Sequence, residues 1–196
     1  MTMTKSAERQ VIRKAKQGDG IAIEQLIRAH QNALYAFMLR MCGRPDVAED
    51  VVQEAFVRVL RNLDRFDTRF RFSTWLFTIA KRLYMNQVQK HSPSFESDLV
   101  DMHQGAGDRP EDGLEQAEVL RNARSAIDEA LKGLNELQRE IVLLFHQQNW
   151  PISEIAVYLD MPEGTIKSHL HRARKRMRRI ILSSSVTERH VEEVWS

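Results

Sequence analysis

With 196 residues and 42% apolar side chains, the chain can fill one large core or two small ones, and a globular protein is expected. Its apolar runs fall well short of the roughly 20 residues of a membrane-spanning helix, and MTMTKSAERQVIRKAKQG lacks the apolar block and cleavage site of a signal peptide; with one cysteine excluding an internal disulfide or a thiolate zinc site, a cytoplasmic location without membrane insertion is expected. The formal charge of +2 conceals two basic modules around an acidic connector, a pattern suited to a polyanion touched at two places: Lys/Arg against Asp/Glu number 16 to 9 in residues 1–90, 1 to 8 in 91–118, 11 to 7 in 119–182 and 1 to 3 in 183–196.

The first module, residues 1–90, reads as helix throughout, because apolar residues recur three and four apart. AERQVIRKAKQ predicts a first helix, stopped by GDG. A second runs from about Ile21 to Cys42 with Ile23, Leu26, Ile27, Leu34, Phe37, Met38 and Met41 turned inward, and GRP ends it. Cys42 lies in apolar LRMCGR and reads as a buried structural thiol, since reactive cysteines need an exposed, positive setting. Asp46 and Glu49 have capping-box spacing for a third helix whose apolar positions are Val47, Val51, Val52, Ala55, Phe56, Val59, Leu60 and Leu63. After DRFDTRFRF, Ser73 is placed to cap a fourth, carrying Trp75, Leu76, Ile79, Ala80, Leu83 and Val88. Four helices with short connections predict an all-α module.

Residues 91–118 hold two prolines, three glycines beyond His91, eight acids and few large apolar groups, so a flexible acidic linker is predicted. Its charge serves solubility or, alternatively, mimics nucleic acid in a basic channel. Helical spacing resumes at Val119, with Leu120, Ile127, Leu131 and Leu134, and opens a second domain over 119–182; a short acidic tail, 183–196, follows. Within that domain Ile152, Ile155, Ala156 and Leu159 form one apolar face, DMP makes a tight turn, and Ile166, Leu170, Ala173 and Met177 form the next. Two short helices so joined, the second one basic, predict a helix-turn-helix.

In EGTIKSHLHRARKRMRR seven of seventeen residues are Lys or Arg. With the apolar positions inward, Thr165, Lys167, Ser168, His171, Arg172 and Lys175 are left to meet the major groove of duplex DNA. The denser run Arg174 to Arg179 suits phosphates instead. A solvated helix face would pair these cations with acids at i±4, and few are present. His169 and His171 diverge by about 200° on a helix and cannot share a metal ion. No phosphate loop or nucleophile elbow is present, so neither a cofactor nor enzymatic activity is expected. A helix-turn-helix alone leaves open a regulator that binds duplex DNA without polymerase, or an adaptor that sequesters a regulator.

AEDVVQEAFVRVLRNLDRFD with FSTWLFTIAKRL, and LNELQREIVLLFHQQNWPISEIAVYLDMPEGTIKSHLHRARKRMRR, resemble the second and fourth conserved regions of the extracytoplasmic-function sigma factors of bacterial RNA polymerase. The resemblance implies an all-α protein of two helical domains, an alternative sigma factor that carries polymerase core to promoters. It implies docking on the largest-subunit clamp through Asp50, Gln53, Glu54 and Val57, with Val51 and Phe56 in the core, and a contact of the fourth region with the flap. It further implies that a flipped base of the melted promoter element is captured before the fourth helix, at Asp67, Thr68, Arg69 and Phe70. There DRFDTRFRFSTW interleaves rings with Arg65, Arg69 and Arg71, which suits single-stranded DNA; Lys81 and Arg82 are placed to hold phosphates or the duplex edge, and Trp75 reads as core. Many relatives are also held by an anti-sigma factor. Where many have Ser ahead of the helix-turn-helix, this chain has Pro151, which a first turn accepts.

Overall fold

The structure, a computed structural model, describes residues 4–91 and 114–183; most of the expected linker and the C-terminal tail lie outside the described residues. Among the described residues eight α-helices and no strand form two units, one within residues 1–102 and the other within 103–196.

In the first unit α1 (Lys5–Lys16) opens at Thr4, whose Oγ1 accepts the Ala7 N–H at 3.3 Å. Gly18, at φ 83°, turns the chain into α2 (Gly20–Cys42), where Asp19 Oδ1 accepts the N–H groups of Ile21 and Ala22 at 2.9 and 3.2 Å. Left-handed Gly43 closes that helix, its N–H donating to Leu39 at 2.8 Å. Then come α3 (Pro45–Arg61), a short 3₁₀ turn (Leu63–Arg65) and α4 (Phe72–His91). α2 packs on α1 and α3, and α3 on α4. Leu26, Leu34, Phe37, Ala48, Val51, Ala55, Val59, Phe72, Leu76 and Phe77 are buried between them. Each large side chain contributes about 1.5–3 kcal/mol, so Leu34→Ala would remove about 2–5 kcal/mol.

Three local expectations are corrected here. Pro45 takes the first helical position of α3, so Asp46 falls inside the first turn and, instead of forming a capping box, pairs with Arg44, whose Nε lies 3.3 Å from Oδ1. The Arg44 hydrogen bond holds the Asp46 carboxyl below the usual carboxylate range. α4 starts at Phe72, which places Ser73 within its first turn rather than at the cap. On α2 the inward stripe is rotated: Ala22 is buried while Ile23 and Ile27 are only half-buried and Ile21 is 71% exposed. Cys42 is half-buried with Sγ 3.2 Å from the Arg44 carbonyl, and burial pushes its thiol pKa up, away from thiolate chemistry.

In the second unit α5 (Leu114–Lys132) begins five residues ahead of the point where apolar spacing resumes, because LEQAE consists of good helix formers. Its C-terminal end is buried at Ala130 and Leu131, followed by Leu134; Val119, Leu120 and Ile127, expected on a packed face, are exposed. Asn135 Oδ1 accepts the Gln138 N–H at 2.8 Å and caps α6 (Glu136–Val142), which runs into a single π turn over Leu143–Gln147. α7 (Ile152–Leu159) is closed by Asp160 in the left-handed conformation, φ 53°, and α8 (Glu163–Ser183) follows. α8 packs against α5, α6 and α7. α8 comes close to the end of α5 at Gly133, where a Cβ would stand 2.3 Å from Ile180 Cδ1, the movable end of that side chain.

Candidate nucleic-acid and polymerase interfaces

The loop ahead of α4 is built from its own polar groups. The Phe70 N–H donates to Asp67 O at 3.1 Å, and Asp67 Oδ1 accepts the Arg69 N–H at 2.9 Å, while Arg69 Nε donates to Oδ2 at 2.8 Å. These bonds to Arg69 hold the Asp67 carboxyl below its usual range. The pair is exposed, and such pairs are weak enough to open for a ligand. Beneath the loop Phe66 stacks on Trp75 with centroids 5.0 Å apart and meets Phe72 edge-on at 5.7 Å. Phe66 and Phe72 are buried, Trp75 half-buried, and Phe70 alone of these rings stands out, 59% exposed. Trp75 is therefore only partly core.

Sequence reasoning missed the support of this loop. Lys16, at the end of α1, donates from Nζ to Phe66 O at 2.8 Å and Asp64 O at 3.2 Å, tying the backbone on either side of Arg65 to α1. No periodicity or motif marks it, since the contact joins residues about fifty apart in sequence. Arg65, Thr68, Arg69 and Arg82 are exposed, Asp67 and Lys81 half-buried. The structure thus gathers Arg65 through Phe70 in one turn, with Lys81 and Arg82 further along α4.

On α3 the residues expected to meet polymerase, Asp50, Gln53, Glu54 and Val57, are all exposed, and their spacing puts them on one stripe. Val57, 40% exposed, adds an apolar element, and Glu54 holds Arg58 Nε at 2.7 Å one turn on. Val51 and Phe56 face the core.

α8 presents its N-terminal half as the helix-turn-helix reading requires. Ile155 on α7 and Ile166, Leu170 and Ala173 on α8 are buried; Ile152, Ala156, Leu159 and Met177 are half-buried. Lys167, Ser168, His171, Arg172 and Lys175 are exposed and Thr165 is half-buried. The Ser168 hydroxyl donates to Gly164 O at 2.9 Å, which leaves its oxygen free to accept, and Arg172 Nε donates to Ser168 O at 3.3 Å. Lys167 Nζ lies 3.8 Å from Glu163, a loose exposed pair. His169 is half-buried while His171 is exposed, so the two face apart. Among the described residues no three His, Cys, Asp or Glu side chains gather as a metal ion requires.

Two further contacts position α8. Arg174, grouped by sequence with the phosphate-facing cations, lays its guanidinium 5.2 Å from the Phe145 ring centroid and donates from Nε to His146 Nε2 at 3.2 Å. Partial burial, then the Arg174 charge, hold the His146 pKa below its ordinary value. Both partners lie in the π turn, a geometry with no legible sequence signature. On α7 the Tyr158 hydroxyl donates at 3.0 Å to Glu140 Oε1, a carboxylate on α6 that is 1% exposed, and Trp150 meets the Tyr158 ring edge-on at 5.4 Å. Burial, reinforced by Glu140, raises the Tyr158 pKa well above its ordinary range, so the hydroxyl keeps the proton it donates.

Comparison with known proteins places both modules in one family. Residues 26–93 match Sigma-70 region 2 and residues 124–177 match Sigma-70, region 4, together more than half of the chain. The chain is 29% identical over 178 residues to the ECF RNA polymerase sigma factor SigW of Bacillus subtilis, covering 86% of this chain and 93% of that protein. It is 28% identical over 171 residues to the ECF RNA polymerase sigma-E factor of Escherichia coli, covering 84% and 89%. Its fold is similar to the sigma factor RpoE from Bartonella quintana, solved in complex with the anti-sigma factor NepR, at a TM-score of 0.64 and 26% identity over 82% of this chain and 97% of that one. With both regions matched in chain order, each on its own helical unit, the chain belongs to the extracytoplasmic-function sigma factors of the sigma-70 family, the alternative sigma factors that direct RNA polymerase to promoters.

Proposed function

We propose that this sigma factor divides promoter recognition between the Asp67–Phe70 loop and α8, and meets polymerase core through the outer stripe of α3. The observation that carries the reading is Phe70, an exposed ring on a turn whose backbone and aromatic base are otherwise fixed. A base stacked on such a ring contributes about 1–3 kcal/mol whatever its identity. Asp67, Thr68 and Arg69 line the turn that would receive a flipped base, while Arg65, Lys81 and Arg82 follow the backbone of the melted strand. In the second domain Lys167, Ser168, His171, Arg172 and Lys175, with Thr165 at the entry, read or clamp the upstream duplex element. Asp50, Gln53, Glu54 and Val57 dock on the clamp of the largest subunit, and the second domain engages the flap region.

The protein performs no bond chemistry of its own and acts in the cytoplasm; no helix among the described residues is long and apolar enough to cross a membrane. Two DNA contacts, each weak alone, act together because one chain carries both, which raises the effective concentration of the second once the first has formed. An anti-sigma factor, as in the complex of the similar RpoE with NepR, would regulate it by occupying these surfaces.

Run-off transcription with purified core polymerase on genomic promoter fragments, with and without the protein, tests the reading. New transcripts sharing a two-block upstream sequence are expected. Absence of both transcripts and core association, with the protein alone shifting duplex DNA, would replace this assignment by that of a polymerase-independent regulator.

A further inference from the structure

An open groove runs between α1 and the loop, lined by Ser6, Arg9, Gln10, Arg13, Lys16 and Thr68. Lys16 fixes its floor through the carbonyls of Asp64 and Phe66. Arg9 and Arg13 are exposed, one helical turn apart, and Lys16 continues the same face about 10 Å along the axis from Arg9. Neither arginine has a carboxylate partner among the described residues. Glu8, the one acid of α1, turns the other way, its Oε1 3.0 Å from His30 Nε2 in an approach not aligned as a hydrogen bond. Asp67 in the loop is held by Arg69. Two like charges at i and i+4 repel, so this face is slightly destabilising until an anion arrives. Its lining residues are polar or basic, and the aliphatic stems of the long side chains form most of the wall beneath their charged ends. The groove shares Thr68 with the turn that displays the exposed ring of Phe70, so its cations border the same turn; cations together with exposed rings are the combination that holds single strands.

We infer that Arg9 and Arg13 grip phosphates of the melted strand beside the captured base, extending the single-stranded site from the Asp67–Phe70 loop onto α1. The inference rests on the proposed role of that loop. Neutralising two phosphates of a single strand changes the slope of log Kobs against log salt by about 1.4, at about 0.7 each.

The test uses holoenzyme assembled from the full chain and core polymerase, on a promoter template already open over the melted element, with affinity measured across a salt series. R9A/R13A is expected to lower the slope by about 1.4 with core association unchanged, and R9K/R13K to retain it. Trimming the open strand from one side of the captured base is expected to abolish the difference between wild type and R9A/R13A. An unchanged slope while wild-type holoenzyme binds the open template overturns the α1 contact alone. So does a loss of core association by R9A/R13A, which would assign the groove to a polymerase surface. Failure of wild-type holoenzyme to bind the open template more tightly than core overturns the loop assignment with it.

Discussion

Lys16→Met isolates the support of the Asp67–Phe70 turn, the proposed site of the melted strand, from the turn itself. The substitution keeps an aliphatic stem of similar length and removes the ammonium that donates to Phe66 O at 2.8 Å and Asp64 O at 3.2 Å. Hydrogen bonds to a charged group are worth about 1.5–3 kcal/mol, and the more exposed, longer bond lies below that range, so a local loss of about 2 kcal/mol is expected. The aromatic base remains, since Phe66, Phe72 and Trp75 pack on one another without Lys16. The loss therefore appears as local opening of the turn rather than unfolding of the unit. At a factor of ten per 1.4 kcal/mol, exchange of the Phe66 and Phe70 amides, which donate to Leu63 O and Asp67 O, rises about 30-fold. Hydrogen–deuterium exchange of the full chain reads this directly, with the amides of Val51 to Val59 as internal reference. Unchanged protection of the loop, or an equal rise throughout α3, would refute the argument.

Three other outcomes are expected. If Lys167 or Arg172 reads a base edge, its change to Ala costs about 1–3 kcal/mol of discrimination at one promoter position; if it holds a phosphate, binding weakens uniformly and the salt slope falls by about 0.9. Equal loss of core association in a pull-down would remove either residue from the DNA surface. Phe70→Ala should depress transcription from closed promoters and recover on templates with an open bubble, whereas failure on both would point to a folding defect. His146 accepts from Arg174 through Nε2, so its neutral form is the one the fold uses. Its folded pKa lies below the ordinary 6.5, so the unfolded chain takes up the proton first as pH falls through 6.5, and the second domain loses stability there; above 6.5 the effect vanishes. Urea midpoints of wild type and His146→Gln should therefore diverge at pH 5.5 relative to pH 7.5, with wild type the more acid-sensitive, and parallel midpoints would reject the assignment.

Apolar spacing located the helices because burial dictates it: Leu26, Leu34 and Phe37 on α2, and Ile155, Ile166 and Leu170 across the helix-turn-helix, are buried where their periodicity puts them. Helix ends were less legible. Asp46 has the chemistry of a cap, but Pro45 fits the first helical position and displaces it, a competition between neighbouring residues that spacing does not settle. The exposed stripe of α8 follows from the same periodicity read in reverse, whereas Asp50, Gln53, Glu54 and Val57 on α3 were singled out by the family resemblance. The supports could be named by neither. Lys16 with Phe66, Arg174 with His146 and Tyr158 with Glu140 join segments far apart in sequence, and each consists of residue types that also occur routinely on surfaces.

Those supports explain why the two surfaces proposed to meet DNA should respond differently to mutation. Around the loop the backbone and one ion pair have internal partners: Asp67 with Arg69, the Phe66 and Asp64 carbonyls with Lys16, the Phe70 N–H with Asp67. Phe70 is the exposed ring of this turn, carried on a backbone that is already ordered, so a stacking base would cost little backbone entropy on capture. α8 is arranged the other way. Its backbone is anchored by Arg174 on Phe145 and by the buried Ile166, Leu170 and Ala173, but the long side chains of Lys167, Arg172 and Lys175 are exposed and at most loosely paired. If these side chains contact the upstream duplex as proposed, they would become ordered on it, and that contact would be strongly salt-dependent and tolerant of small shifts in register. Weakening a support of the loop should then alter how readily a promoter opens, whereas changing an exposed cation of α8 should alter which promoter is chosen.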